Sequence, residues 1–329
     1  ELKNTFPLLK DGRAFISQHV GDMENQATLE FYDEMVRKFL SWFRFVPQVV
    51  AHDLHPDYLA TRYAREFGKR HGLDVELVGV QHHHAHIASV MVENGRREPV
   101  LGVALDGTGY GTDGRIWGGE FLVADLEDFE RAAHLGYVPL AGGDAAIRHP
   151  YRVALSHLFA AGADDLIGTA RRLFGDVAED ELDLVVQQIE KGINCVDTSS
   201  TGRLFDAISA LLGVCHEISY EAQAAIELES LAGREVSAAE VYPYDIVTDD
   251  GGLVVDTSRT VLAVLDAVTG NEPGHEVSAR FHETVVQFCL DVCRRVGRST
   301  GIRATALSGG VFQNRRLLGR LTDALRDEG

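Results

Sequence analysis

The sequence is poor in cysteine, and the few cysteines are not spaced for the common cysteine-based sites. There are 4 cysteines in 329 residues. None forms a CxxC pair, which argues against a zinc ribbon or a thioredoxin-type motif. Cys289 and Cys293 lie within an amphipathic helical pattern, so we expect them to be buried, reduced thiols. The sequence also lacks a signal peptide and any apolar run near the ~20 residues that span a bilayer. We therefore expect a cytoplasmic protein with no membrane partner.

Basic residues are scarce relative to acidic ones. Lys and Arg number 31 against 50 Asp and Glu, which gives a net charge of −19. This charge argues against general binding to nucleic acids or anionic membranes, although it is equally typical of adaptation for solubility or high salt. A chain of this length usually forms one large domain or two subdomains. Because it begins at Glu1 without a methionine, we expect it to be a piece of a longer protein.

Strand-like and helix-like patterns alternate along the chain, which predicts an α/β fold. Asp11-Gly12 predicts a hairpin turn within residues 4–20. The unit strand 75–80, helix 82–93 and strand 100–105 predicts a parallel strand pair with a right-handed crossover. The remaining predicted elements are helices at 25–45, 57–72, 258–269 and 276–297, strands at 49–51, 117–124, 253–256 and 304–307, a mostly helical region at 145–235, and a helix from Phe312.

The stretch VQHHHAHIASV, residues 80–90, places four histidines in five positions. His82 and His86 are four residues apart, so they share one helix face and can bind one metal ion together. His83 lies on the apolar side of the same helix. The alternative is a polar helix start with incidental histidines. HExxH is absent, which argues against a zincin protease.

The glycine-rich stretch LDGTGYGTDG, residues 105–114, follows a predicted strand. Ligands of open α/β sheets bind at this edge. Because adjacent parallel strands end together, we expect Asp106 beside the first turn of the histidine helix, where it can supply a third metal ligand. Gly107 allows a phosphate to approach backbone N–H groups. A glycine-rich hairpin is the alternative.

Two further stretches predict nucleotide contacts, but each is weak by itself. In TGRLFDAISALLG, residues 201–213, Asp206 lies off the apolar face. Its carboxylate either holds a ribose hydroxyl or is a solvated surface acid, and the helix alone favours the second interpretation. SGGVFQNRRLL, residues 308–318, predicts a strand, a Gly-Gly turn and a helix whose N-terminus suits a phosphate.

Together these stretches resemble the HypF family of carbamoyltransferases, which act in the maturation of nickel–iron hydrogenases. The resemblance covers nearly the whole chain and extends to ELKNTF, GDMENQATLEFY, VVAHDLHPDYLATRYA and EAQAAIELE. It is a resemblance to the C-terminal Kae1-like part of the family. It implies the two-lobed fold of the actin–Hsp70–sugar-kinase superfamily, with ribonuclease-H-like lobes. We place lobe I at residues 1–140 and lobe II at 141–329.

The resemblance also implies a site. His82, His86 and Asp106 match the ligands of a divalent metal, Fe²⁺ or Zn²⁺. Family members continue to an aspartate in a PxNDGG-like segment, the fourth ligand, before which this chain ends. The adenine nucleotide, ATP or the AMP moiety of carbamoyl-adenylate, is expected to contact these residues: Lys3, Gly107, Gly202, Asp206, Gly309, Gly310 and Asn314.

The implied function is carbamoyl transfer. In the family, an upstream YrdC-like domain makes carbamoyl-adenylate, and the Kae1-like domain passes the carbamoyl group to the C-terminal cysteine of the partner HypE. The alternatives are an O-carbamoyltransferase with a small hydroxyl acceptor and a non-catalytic module that binds nucleotide and metal and docks a partner. A tRNA threonylcarbamoyl transferase is a more distant relative, and the net charge of −19 disfavours its tRNA partner.

Overall fold

The computed structural model describes residues 3–23, 25–233, 240–249 and 252–328, and it divides into two compact units, Glu1–His82 and His83–Gly329. The helices are α1 (Gln26–Trp42), α2 (Leu59–His71), α3 (His82–Glu93), α4 (Asp144–Arg148), α5 (Pro150–Ala160), α6 (Leu166–Leu173), α7 (Glu179–Lys191), α8 (Thr201–Leu211), α9 (Gln223–Ala232), α10 (Ser258–Thr269), α11 (Gly274–Thr300) and α12 (Arg315–Glu328). The strands are β1 (Pro7–Lys10), β2 (Arg13–Ile16), β3 (Val49–Asp53), β4 (Glu76–Val80), β5 (Val100–Leu105), β6 (Gly119–Ala124), β7 (Phe129–Leu135), β8 (Val138–Ala141), β9 (Cys195–Thr198), β10 (Asp245–Asp249), β11 (Gly252–Asp256) and β12 (Thr305–Ser308).

The first unit combines a β-hairpin with a parallel strand pair. β1 and β2 are antiparallel, and Asp11 and Gly12 between them have positive φ angles of 51° and 72°. These angles confirm the predicted hairpin turn. β3 and β4 are parallel and are connected through α2. Two-stranded sheets are marginally stable unless they pack against helices. In this unit an aromatic cluster joins the hairpin to α1 and α2, and its members are Phe6, Phe39, Tyr63 and Phe67.

The second unit contains a six-stranded mixed sheet in the order β10–β11–β7–β6–β5–β12. β5, β6 and β7 are antiparallel neighbours, and β12 joins β5 in parallel. Every residue of β5 is buried, as its continuous apolar sequence VLGVAL predicts. The main core combines residues of this sheet with residues of α5, α8 and α11. The predicted α/β fold is confirmed.

The predicted parallel pairing of the strands on either side of α3 is wrong. β4 pairs with β3, whereas β5 pairs with β6 and β12. The two strands have different surroundings: the first four residues of β4 are exposed, but β5 is buried throughout. The helix predicted from Phe312 also begins differently, because a 3₁₀ turn occupies Gly310–Gln313 and α12 starts at Arg315.

The lobe boundary at residue 140 stays a prediction. Residue 140 lies within β8, and the six-stranded sheet contains strands from before and after this residue.

Cys289 and Cys293 are buried free thiols, as predicted. Among the described helices, none has the length and apolar character that crossing a membrane requires.

Candidate functional site

Helix α3 brings the predicted metal ligands together with Asp106. His82 is its first residue, and His86 lies one turn later. Nε2 of His86 is 3.0 Å from Oδ2 of Asp106, the residue that follows β5. The side chains of His82, His86 and Asp106 each place one potential ligand atom within 4.8 Å of the others, and all three are partly buried. Metal binding by these three residues stays a prediction.

The other two histidines of the stretch face away from this group. His83 is fully buried beside Trp117, with 6.1 Å between the ring centroids. His84 is also buried, and its Nε2 lies 2.8 Å from the backbone oxygen of Asp125. His83 therefore lies on the buried side of α3, as its helical position predicts.

Backbone N–H groups from two distant segments orient the Asp106 carboxylate. Oδ1 accepts hydrogen bonds from the N–H of Gly107 at 2.8 Å and the N–H of Gly310 at 3.2 Å. Gly309 has a φ of +102°, and a Cβ there would lie 2.2 Å from the backbone oxygen of Leu105. Glycine is therefore required at 309 for the turn after β12 to approach β5. Gly107 and Gly310 use these N–H groups to position Asp106, and their predicted contacts with a nucleotide stay predictions.

The start of α8 packs directly on the Asp106–Gly107 turn. The N–H of Gly202 donates to the backbone oxygen of Asp106 at 3.0 Å, and the Ser200 hydroxyl donates to the same oxygen at 2.8 Å. A Cβ on Gly202 would lie 2.7 Å from Cα of Gly107. A glycine at 202 thus lets the helix approach the backbone of the turn.

The interpretation of Asp206 as a solvated surface acid is wrong. Asp206 is only 3% exposed, because α8 is buried on all sides, and its Oδ2 lies 2.9 Å from Nη2 of Arg203. Burial raises the pKa of the Asp206 carboxyl, and the nearby Arg203 charge opposes that effect. Its contact with a ribose stays a prediction.

Two more predicted nucleotide contacts have structural partners of their own. Asn314 bonds through Nδ2 to Nε2 of the buried His282 at 2.9 Å, and its Oδ1 accepts from the N–H of Leu317 at 2.9 Å, which caps α12. Lys3 is exposed in the first unit, where its backbone N–H donates to Asp22 at 2.7 Å. Nucleotide binding by Lys3 and Asn314 stays a prediction.

Sequence reasoning missed Asp53, the last residue of β3. Its Oδ2 lies 2.8 Å from Nδ1 of His82, and its Oδ1 accepts from the N–H of His55 at 2.8 Å. Burial raises the pKa of the Asp53 carboxyl, but its hydrogen bonds to His82 and His55 outweigh burial and lower it. The motif HDLHPD, an acid between two histidines at a strand end, was the available signal.

Sequence reasoning also missed Glu120, a fully buried acid in β6. It accepts hydrogen bonds from the N–H of Gly118, the Ser199 hydroxyl and Nε of Arg131, at 3.0, 2.6 and 2.6 Å. Burial raises the pKa of Glu120, but the Arg131 charge and these bonds lower it overall. Glu120 therefore joins β6 to the segment that leads into α8. An acid within the apolar stretch WGGEFLVA was the signal for it.

The comparisons with known proteins agree with this arrangement of motifs. Residues 102–329 match the family model for the second subdomain of the carbamoyltransferase Kae1-like domain, and residues 1–93 match the model for the HypF Kae1-like domain. The chain belongs to the HypF carbamoyltransferase family. The resemblance inferred from the motifs is thereby confirmed.

Individual relatives of the HypF family cover the chain almost completely. Carbamoyltransferase HypF2 of Cupriavidus necator is 37% identical over 99% of this chain and 42% of its own length. A carbamoyltransferase HypF homolog of the same species is 39% identical over 95% of this chain and 79% of its own length. A crystal structure of full-length HypF in a phosphate- and nucleotide-bound form matches with a TM-score of 0.90 and 44% identity, covering 100% of this chain and 42% of that one. The chain thus spans about two fifths of the length of most HypF relatives that it matches, such as the Synechocystis protein at 43%.

Proposed function

We propose that this chain transfers a carbamoyl group from carbamoyl-adenylate to the C-terminal cysteine thiol of HypE, in the synthesis of hydrogenase cyanide ligands. The grouping of His82, His86 and Asp106 within 4.8 Å, in a chain of the HypF family, is the observation that carries the proposal. The nucleotide-bound relative supports a bound nucleotide, which we propose to be an adenine nucleotide. The net charge of −19 disfavours a nucleic-acid or anionic-membrane partner, and a cytoplasmic location belongs to the same proposal.

The donor set suits a divalent metal such as Fe²⁺ or Zn²⁺. Two imidazole nitrogens and one carboxylate oxygen match the ligands that both ions accept in proteins, and His82, His86 and Asp106 would hold the ion. When bound, it supplies Lewis acidity that polarises a carbonyl or phosphate oxygen.

The surroundings of Asp106 and of the cysteines are consistent with this chemistry. Two backbone N–H groups hold Oδ1 of Asp106, so its Oδ2 is already directed toward His86 before a cation binds. The four cysteines are unsuited to act as nucleophiles, because burial raises their thiol pKa values, that of Cys293 to about 12. An acceptor thiol from a partner fits this chemistry. In the transfer, the thiol loses its proton, the C–S bond forms, the bond from carbonyl carbon to phosphate oxygen breaks, and AMP leaves.

Mass spectrometry of the HypE tail tests the proposal. The purified chain is combined with HypE, and carbamoyl-adenylate is generated by a YrdC-like domain of a HypF relative from carbamoyl phosphate and ATP. We expect the mass of one carbamoyl group to be added to the C-terminal cysteine, and His82→Ala/His86→Ala to abolish the addition. Binding of nucleotide and HypE without any addition would support the non-catalytic docking module instead. Carbamoylation of a small hydroxyl compound but not of HypE would support the O-carbamoyltransferase.

A further inference from the structure

The proposed function assigns no role to the HDLHPD motif, residues 52–57. β3 and β4 pair in parallel with Asp53 opposite Val80, so both strands end together. The chain leaving β4 reaches His82 only two residues later. The parallel pair of the first unit therefore places Asp53 beside the histidine that begins α3.

The contact between Asp53 and His82 is specific to one ring nitrogen. Oδ2 of Asp53 lies 2.8 Å from Nδ1 of His82, with side-chain exposures of 22% and 27%. Its other oxygen, Oδ1, is held by the N–H of His55 at 2.8 Å. A carboxylate can only accept at Nδ1, so His82 carries its proton there. In the neutral ring the lone pair is then on Nε2, which is the nitrogen that can ligate a metal ion.

We propose that Asp53 is a positioning residue that fixes the ring orientation and tautomer of His82 for metal binding. This inference rests on the metal site of the proposed function. In metal sites, ligating histidines commonly donate their second N–H to a carboxylate, which raises the basicity of the ligating nitrogen. Loss of such a partner typically weakens metal affinity about 10–100-fold.

Three variants of the full chain test this role, with Zn²⁺ affinity measured by competition against a chromophoric chelator. Asp53→Ala is expected to weaken Zn²⁺ binding about 10–100-fold. Asp53→Asn is expected to weaken it less, because the amide oxygen still accepts from Nδ1 but is uncharged. Asp57→Asn is the matched control in the same motif. The Asp57 side chain is 72% exposed and pairs with Arg62, so the affinity should not change.

A second measurement, made without metal, separates positioning from a general structural effect. Nitrogen-15 NMR of the ring is expected to show His82 as the Nδ1–H tautomer in the wild type and a mixture of tautomers in Asp53→Ala. If Asp53→Ala is poorly folded, the nearly isosteric Asp53→Asn provides the test. Wild-type affinity in both Asp53 variants, or weaker binding with an unchanged tautomer, would overturn the role of Asp53 and leave the proposed function standing. Failure of the wild-type chain to bind either Zn²⁺ or Fe²⁺ would overturn both the role of Asp53 and the metal site of the proposed function.

Discussion

The four histidines at positions 82, 83, 84 and 86 have different surroundings, and two of them belong to the proposed metal site. His82 and His86 lie near Asp106, whereas His83 and His84 are buried on other sides of α3. The double variant His82→Ala/His86→Ala should therefore lose its metal, and His83→Ala should retain most of it. Elemental analysis measures the metal content of the purified proteins, and circular dichroism confirms that each variant is folded. Metal lost from the His83 variant but kept by the double variant would contradict the helix-face argument.

Asp206 and Arg203 form a buried ion pair in α8, and breaking it should destabilise the protein. Asp206→Ala leaves the guanidinium buried without its carboxylate, which typically costs about 3–5 kcal/mol of unfolding free energy. The double variant Arg203→Met/Asp206→Leu should recover most of the loss in urea unfolding. A loss below about 1 kcal/mol would mean that the pair is solvated, as exposed pairs usually are.

Calorimetry with AMP on folded Asp206→Ala tests the predicted ribose contact of Asp206. Unchanged AMP affinity would assign Asp206 to the ion pair alone.

Individual residues were predictable where one local rule applied. Helical spacing placed His82 and His86 on one face and His83 on the buried side, and Asp11-Gly12 indicated the hairpin. The burial of Asp206 was not predictable in this way. Its helix has apolar residues on one face, but neighbouring helices and the Asp106–Gly107 turn cover the others. That cover depends on contacts between residues far apart in the sequence.

The approach of α8 to the Asp106–Gly107 turn depends on the absence of a side chain at Gly202. Gly202→Ala places a methyl group 2.7 Å from Cα of Gly107, so the helix must shift. We expect a loss of about 1–3 kcal/mol in unfolding free energy, as for other overpacked sites, together with weaker metal binding.

Gly319→Ala is the matched control for this change. Gly319 lies within α12, and a Cβ there would meet nothing within 4 Å. Alanine favours helix by about 1 kcal/mol over glycine, so this variant should be more stable in the same urea experiment. Equal stabilisation by both substitutions would show that α8 tolerates the methyl group.

At the level of elements, the sequence indicated most helices and strands but not how the strands pair. The sequence placed β4, α3 and β5 correctly, yet β4 and β5 belong to different sheets. The prediction that Asp106 lies beside α3 used a pairing that does not exist. The proximity arises because α3 packs on β5, where Ile87 and Met91 form a core cluster with Val100 and Ala104. The pairing of β5 with β12 then brings the Gly310 N–H to Asp106. A local pattern cannot specify a partner strand some 200 residues away.

Two buried histidines should make the whole molecule sensitive to mild acid. Burial lowers the pKa of His157 and of His282 to about 4, whereas both should have ordinary values once unfolded. As the pH falls below 6.5, the unfolded chain takes up protons that the folded chain does not. Stability is therefore complete above about pH 6.5 and declines toward pH 4. Each histidine should lower the unfolding free energy by about 2 kcal/mol between pH 7 and pH 5.

Urea unfolding at pH 7 and pH 5 measures this effect. The range from pH 7 to pH 5 lies above most carboxylate titration. Glu120, for example, has a lowered pKa, so the stability that its charged form contributes is lost only at lower pH. Burial also lowers the pKa values of His71 and His134, which add to the effect. His157→Leu should therefore reduce the difference in unfolding free energy between pH 7 and pH 5 by less than half. The same pH difference in the variant and the wild type would show that His157 is not protonated on unfolding in this range.

The bond between Gly310 and Asp106 also bears on how the protein is made. The two residues are 204 positions apart, so a ribosome releases Asp106 long before the strand and turn that complete its surroundings. Domains generally fold as units during synthesis, beginning from the N-terminus. His82 can thus meet Asp53 on a growing chain, while Asp106 still lacks one of its two backbone donors. We expect nascent chains stalled before Gly310 to bind the ion weakly even though all three ligands have been synthesised. Loading of the proposed metal site would then come late in synthesis, once Gly310 supplies the second N–H to Asp106.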